Sequence, residues 1–527
     1  MIMKNIIFTL IATVLVFAAA EGASRLFVHP GSYDFIERRA MEQSLKHNKA
    51  GGEIRILLFG ESTMFGGSLY PYSTIDKWLK MYLADLLPEE EYKRVTVMNF
   101  ARLGVDSRFV STAFIDLIPY KPDLAVFYTV HNDFIQPGSR RVLLGGESPA
   151  KERREYFRRL RKKSAFLNLL NRLIIRWKMY RSSIKDARAK SSDDWYLEGD
   201  AGDGICKNES DLLRPDSPGY EVIKKNFENN INRIISAGAR NSIPVIFFEG
   251  LSKWKGYEPV RPFHGRLMTP ELLAAWSRGF DTAEADFRLG QYESALKMYA
   301  ACKEADPEYA LTYYRMGQCF EGLRQFSRAN EYYATANDKD HYPIRAPAFV
   351  NRVYEKLRLS RVPRVYFIRT QKLFEERSPD GIIDDSLVID QIHPTIEGQA
   401  MMALELARTI YDNGLLIPKD KWRWDRLRSA AEMKKSLRLD EDAEFDICLA
   451  SAGYVARAYS KAAEFLEQAV KIRPRSVFAR SWLAWSYWKD GSKAKAVNLY
   501  NELYRKAPDK ASVFLDKYPE IRKALPI

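Results

Sequence analysis

Five short apolar runs punctuate the chain: Ile54–Phe59, Val95–Phe100, Leu124–Val130, Ile243–Phe248 and Val365–Ile368. Each is close to continuously apolar rather than alternating, the pattern of a strand covered on both faces. Helix-compatible stretches, Thr74–Leu87 and Arg108–Ile118, separate the first three. Strands alternating with helices predict an α/β fold with a parallel sheet. Ligands of such sheets bind beyond the carboxyl ends of the strands, which is where chemistry is to be sought. The fourth and fifth runs stand more than a hundred residues apart, a distance that demands an inserted unit.

The insertion carries a period. Tyr292, Ala295, Tyr299 and Cys302 are answered 34 residues later by Phe326, Ala329, Tyr333 and Ala336, with Gly290, Pro307 and Gly317 at small or turn positions. That spacing is the signature of tetratricopeptide repeats, in which small residues let paired helices approach and aromatics fill the space beside them. A second pair closes the chain, where Ala462, Leu466 and Pro474 recur as Ala496, Tyr500 and Pro508. Two repeats are fewer than stack stably alone, so each pair is expected to pack on the α/β domain or on the other pair. The 13% aromatic content suits repeat seams first and a carbohydrate-facing surface second.

At 527 residues the chain exceeds one compact core. Its net charge of +14 is concentrated: Lys151–Lys190 holds fifteen Lys or Arg against three Asp or Glu, and the remainder is nearly neutral. A nucleic-acid partner is therefore not expected. Within that arm Phe166, Leu170, Leu173 and Trp177 share one helical face. Two readings stand equal: a helix contacting an anionic membrane surface or acidic polymer, or a solvated excursion over the α/β domain. The acidic, glycine-containing stretch from Ser191 to Asp211 reads as a loop. Lys4 precedes an apolar run, Ile6–Ala20, ending in Ala18-Ala-Ala20, which reads as a cleaved signal peptide or a retained signal-anchor. Either outcome puts the bulk of the chain outside the cytoplasm, in the periplasm or cell envelope. Cys206, Cys302, Cys319 and Cys448 have no metal-ligand spacing. Cys302 and Cys319 fall in neighbouring predicted helices, and an oxidising compartment would permit a bridge, although free thiols are favoured.

Four polar blocks fall beyond predicted strands or on the last loop. They are Gly60-Glu-Ser62, Gly104 within Asn99–Ser107, Asn132 within Thr129–Asp133, and Asp390-Gln-Ile-His393. Singly, each is explained by a helix cap or a turn. Together they answer the demands of acyl transfer: a serine, a base, a carboxylate that orients the base, and donors for an oxyanion. These blocks resemble the SGNH (GDSL-like) hydrolases, named for the Ser, Gly, Asn and His of four blocks. The resemblance implies a three-layer, flavodoxin-like parallel sheet, with Ser62, Asp390 and His393 catalytic. It further implies an oxyanion hole from Ser62, Gly104 and Asn132. The third block of that family normally reads Gly-x-Asn-Asp, and Val130 stands in the glycine's place. A β-branched residue there forbids φ > 0 and is expected to narrow the pocket or shift Asn132. His131 is expected to be structural or to edge the substrate, and His264 carries no constellation.

The expected organisation is a signal segment (1–25), a linker (26–50), a hydrolase core (50–265, with the arm 151–190), inserted repeats (270–345), the end of the core (346–415) and C-terminal repeats (420–527). The expected activity is that of a serine esterase or O-acyltransferase of bacterial envelope type, taking an ester or acylated carbohydrate, without cofactor or metal. The repeats are expected to bind a protein partner. The competing expectation is a repeat scaffold whose α/β domain only binds.

Overall fold

A computed structural model of the chain describes residues 48–135, 217–455 and 458–506, with isolated positions at 45, 164, 166, 214, 215 and 508. The N-terminal apolar segment, nearly all of the basic arm, the acidic stretch after it and Cys206 lie outside the described residues. Among the described residues no helix is long and apolar enough to cross a membrane.

The apolar runs form strands β1 (Ile54–Gly60), β2 (Val95–Asn99), β3 (Leu124–Tyr128), β4 (Val245–Phe248) and β5 (Val365–Ile368). They make one parallel sheet in the order β2-β1-β3-β4-β5. Register explains much of its cohesion. Phe59, Phe127, Phe247 and Phe367 are successive ladder partners. Their rings stack at centroid distances of 5.3, 5.2 and 5.8 Å. Phe100 extends the row beyond β2, 6.0 Å from Phe59. Burying each Phe contributes about 1.5–3 kcal/mol, and each aromatic pair adds roughly 0.5–1.5 kcal/mol.

Helices α1 (Ser62–Phe65), α2 (Ile75–Leu86) and α3 (Glu89–Lys93) follow β1. Helix α4 (Ser107–Leu117) follows β2, and α5 (Asn132–Ile135) and α6 (Pro218–Arg240) follow β3. Phe114 of α4 meets Phe59 and Phe127 edge-on, so α4 covers the phenylalanine face. Helix α6 joins it there through Phe227, which lies edge-on to Tyr354, itself packed on Phe247 and Phe367. Helix α2 packs on β2 and on a late helix that lies on β5, completing three layers.

Between β4 and β5 come two helical hairpins, α7 (Pro270–Arg288) with α8 (Tyr292–Ala305) and α9 (Ala310–Gly322) with α10 (Phe326–Lys339). The periodic residues are their seam: Ala295, Tyr299 and Cys302 are buried, as are Ala329, Tyr333 and Ala336. Cys302, Cys319 and Cys448 are free thiols. The insertion returns through α11 (Ala348–Leu359), which carries Tyr354, and is pinned by the buried Arg345. Its guanidinium donates to Asn337 Oδ1 (3.0 Å) and to the carbonyls of Lys253 and Tyr257 (3.4 and 3.0 Å).

After β5 come α12 (Thr370–Glu375), α13 (Ile396–Asp412), which is the partner of α2, and α14 (Ala430–Lys435). Ile417, Trp422 and Met433 are buried in the α/β core. The stretch from 420 to about 437, which the sequence placed with the repeats, thus packs with that core. The second repeat pair begins at Glu441: α15 (Glu441–Tyr454), α16 (Tyr459–Ile472), α17 (Val477–Lys489) and α18 (Lys493–Lys506). Ala462 and Ala496, with Leu466 and Tyr500, are buried at matching seam positions.

Candidate active site

Strand order fixes where the site lies. β1 is flanked by β2 on one side and β3 on the other, so the crossovers leaving β1 and entering β3 open a crevice at their carboxyl ends. Ser62 is the first residue of α1 just beyond β1, and Asn132 opens α5 just beyond β3. The loop after β2 carries Gly104, whose φ is +65°.

His393 sits in a tight reversal closed by a bridge between Val388 and Pro394 and by Ile389 N–H donating to the His393 carbonyl (2.8 Å). Its Nε2 lies 2.7 Å from Ser62 Oγ and its Nδ1 lies 2.6 Å from Asp390 Oδ2. The other Asp390 oxygen accepts from the N–H groups of Ile392 and His393, both at 2.8 Å. Burial raises the Asp390 pKa, but His393 and those two N–H groups outweigh it and hold the carboxyl below its ordinary range. An ionised Asp390 only accepts, so Nδ1 carries the proton and Nε2 is left to accept from the serine hydroxyl. The ring rests on Gly67, where an added Cβ would stand 3.0 Å from His393 Cδ2 and φ is +55°. Thr63 Oγ1 donates to the Ile392 carbonyl (3.2 Å), joining the serine turn to the histidine loop.

Glu61 links β1 to β3. Its Oε1 accepts from Thr129 Oγ1 (3.1 Å) and Val130 N–H (2.7 Å); its Oε2 accepts from the N–H groups of His131 (3.0 Å) and Asn132 (3.2 Å). Burial, with the nearby Asp133 carboxylate, pushes its pKa up to about 8, and the three backbone donors pull the other way. Asn132 Nδ2 donates to the Val105 carbonyl (2.9 Å), which leaves its second amide hydrogen available. Asp133 accepts from Ser107 N–H (2.8 Å) and Ser107 Oγ (2.6 Å). Burial, then Asp106, pushes Asp133 up to about 7. These bonds tie the Gly104 loop to α5. Ser62 and Asp390 thus both contact His393, while Gly104 precedes Val105, whose carbonyl accepts from Asn132.

Val130 is accommodated by a glycine from another strand's loop. It is fully buried, and its backbone stays out of the positive-φ region. Its side chain turns toward Gly250, where an added Cβ would lie 2.7 Å from Val130 Cγ1. A glycine on β4's loop therefore supplies the room that the substitution requires, and Val130 N–H still reaches Glu61.

The two other histidines that the sequence singled out, His131 and His264, are structural. His131 Nδ1 accepts from Ala346 N–H (2.9 Å), so its Nε2–H donates to Tyr128 Oη (2.9 Å). Burial depresses its pKa to about 3, and the ring stays neutral while it ties β3 to the insertion. His264 pairs with Asp306 (2.6 Å) and stacks on Tyr309 at 4.2 Å, within the inserted unit and not in the crevice.

Sequence reasoning missed two participants. One is Glu61, which stands inside a recognised block but anchors the backbone of another. The second is Tyr454, from the last residue of α15, whose ring meets the His393 imidazole at 4.5 Å and 82°. Nothing in the 34-residue period marks it.

No protein-family model matches this sequence, and no curated protein matches it. Among solved structures, the chain is similar to a GDSL-like lipase from Bacteroides thetaiotaomicron, at 10% identity, with a TM-score of 0.29 over 72% of this chain and all of that one. It is also similar to YrrB, described as a TPR protein with an unusual peptide-binding site, at 14% identity and a TM-score of 0.14 over 45% and 90% of the two chains. A third is PilF of Pseudomonas aeruginosa, at 14% identity and 0.16 over 47% and 99%. The chain joins a five-stranded parallel α/β domain to helical repeats, and its structural neighbours include a GDSL-like lipase and tetratricopeptide-repeat proteins.

Proposed function

We propose that the protein is a serine esterase or O-acyltransferase that works through an acyl-enzyme on Ser62. The observation that carries this reading is the continuous relay from Ser62 Oγ through His393 to the buried Asp390, at 2.7 and 2.6 Å. Ser62 Oγ attacks the ester carbonyl carbon as its proton passes to His393 Nε2. The tetrahedral oxyanion is met by the N–H groups of Ser62 and Gly104 and the second amide hydrogen of Asn132. Collapse breaks the bond to the alcohol oxygen, which takes the proton from His393 Nε2 and leaves the acyl group on Ser62. Water or a second hydroxyl then gives its proton to His393 and attacks the acyl carbon, and the reversed steps restore Ser62.

The substrate in this reading is an acyl group, such as O-acetyl, on an envelope or exported polysaccharide. The acceptor is water for an esterase and a sugar hydroxyl for a transferase. The extracytoplasmic setting rests on the N-terminal sequence, and contact of the basic arm 151–190 with a membrane surface rests on its composition. The repeats hold a protein partner. Turnover of p-nitrophenyl acetate by the wild type and by Ser62→Ala tests the reading. Loss in the variant supports it, and a folded wild type without turnover favours a scaffold whose α/β domain only binds.

A further inference from the structure

The second repeat pair is not suspended from the end of the α/β domain; it closes on the candidate active site. Helix α15 brings Ser451 Oγ to Ser68 Oγ (3.0 Å, buried) and Asp446 to the Tyr72 hydroxyl (2.6 Å). Ser68 and Tyr72 belong to the turn that follows α1, six and ten residues after Ser62. A small apolar cluster fills the seam. It is made of Leu69 from that turn, Ile389 from the histidine loop, and Val455 and Ala462 from the repeat. On the far side Lys461 of α16 donates to Asp385 (2.7 Å). Asp385 also pairs with the buried Lys253, which in turn donates to the Val388 carbonyl (2.7 Å) at the start of the histidine loop. The repeat thus grips both loops that carry the relay.

At the centre of this seam, the His393 ring lies on the backbone of Gly67 and meets the ring of Tyr454 at 4.5 Å and 82°. An imidazole held by one hydrogen bond at Nδ1 can still swing about its side-chain torsions. The two ring contacts limit that swing, so Nε2 stays in line with Ser62 Oγ. The contact is made by the Tyr454 ring and not by its hydroxyl.

We propose that Tyr454 is a positioning residue for His393, and that the C-terminal repeat pair is therefore a working part of the active site. This rests on the acyl-transfer reading above. The consequence is that whatever occupies or strains these repeats acts on the chemistry through one aromatic contact. A partner on α15–α18 would alter the turnover rate and not only the location of the enzyme.

The test uses the full chain as wild type, Tyr454→Phe and Tyr454→Ala. The rate of fluorophosphonate labelling is read beside kcat and KM for p-nitrophenyl acetate. Tyr454→Ala should lower kcat and the labelling rate together by roughly ten-fold, about 1.36 kcal/mol of barrier. KM should be little changed, and Tyr454→Phe, which keeps the ring, should recover most of the loss. Labelling and turnover at the wild-type rate in Tyr454→Ala overturn the proposal and leave the acyl-transfer reading intact. So does a loss seen only in KM, or one equal in the Phe and Ala variants. A wild type that is neither labelled nor active overturns the acyl-transfer reading itself, and Tyr454's role with it.

Discussion

Glu61 gives the most specific prediction that the geometry allows. Its carboxylate accepts four hydrogen bonds, two at each oxygen, and three of the donors are the consecutive N–H groups of Val130, His131 and Asn132. The change Glu61→Gln keeps the shape but replaces one oxygen with an NH2 group. In the less costly orientation the NH2 faces Thr129 and Val130. The Thr129 hydroxyl can turn and accept, so one backbone donor, Val130 N–H, is orphaned in the core. An unpaired buried donor costs about 1–3 kcal/mol. For a domain of this size that lowers the melting temperature by roughly 2–4 °C per kcal/mol. The same strain displaces Asn132, which Oε2 also holds, so the fluorophosphonate labelling rate should fall as well. Thermal melting by circular dichroism and labelling kinetics on the same samples, at about pH 9 where Glu61 is ionised, provide the assay. A Glu61→Gln protein that melts and labels like the wild type would refute the claim that this carboxylate organises the third block.

Other predictions follow from single contacts. Asp390→Asn preserves the two backbone bonds but presents NH2 to Nδ1, forcing the tautomer whose Nε2–H faces Ser62. Turnover should fall about 10⁴-fold with little change in melting, and retention of a tenth of the activity would count against the relay. Gly250→Ala sets a Cβ 2.7 Å from Val130 Cγ1, which should cost about 1–3 kcal/mol. Adding Val130→Ala should return part of it, a non-additivity that a double-mutant cycle in denaturant measures directly. Asp133 has a raised folded pKa, about 7, so its contribution favours the folded state at low pH and is lost as pH rises from about 4 through 7. Asp133→Asn should flatten the stability profile over that window, and an unchanged slope would show that another group sets it.

The sheet was legible because parallel strands are buried on both faces and so read as continuous apolar runs. The ends observed for β1 and β5 lie within a residue of those expected. The repeats were legible because close helix packing imposes small residues at a fixed period, as Ala295 and Ala329 show. What remained hidden depended on contacts between residues distant in sequence. Val130 looked like an obstruction because the residue that makes room for it, Gly250, lies 120 positions away and on another strand's loop. His264 has no local partner in sequence; Asp306 reaches it only once the insertion folds. Tyr454 is an ordinary helix-terminal residue until docking of α15, through Ser68, Leu69 and Tyr72, carries it to His393. Periodicity reports how an element packs and is silent on which site it packs against.

The central claim is that Ser62 is an activated nucleophile, and the most direct measurement is site-resolved labelling by a fluorophosphonate probe. Intact mass and peptide mapping would be read on the folded wild type, on Ser62→Ala and on His393→Ala. The account predicts one equivalent of probe on Ser62 in the wild type and none in either variant. A folded wild type that takes up no probe, or a Ser62→Ala protein that still does, would contradict it.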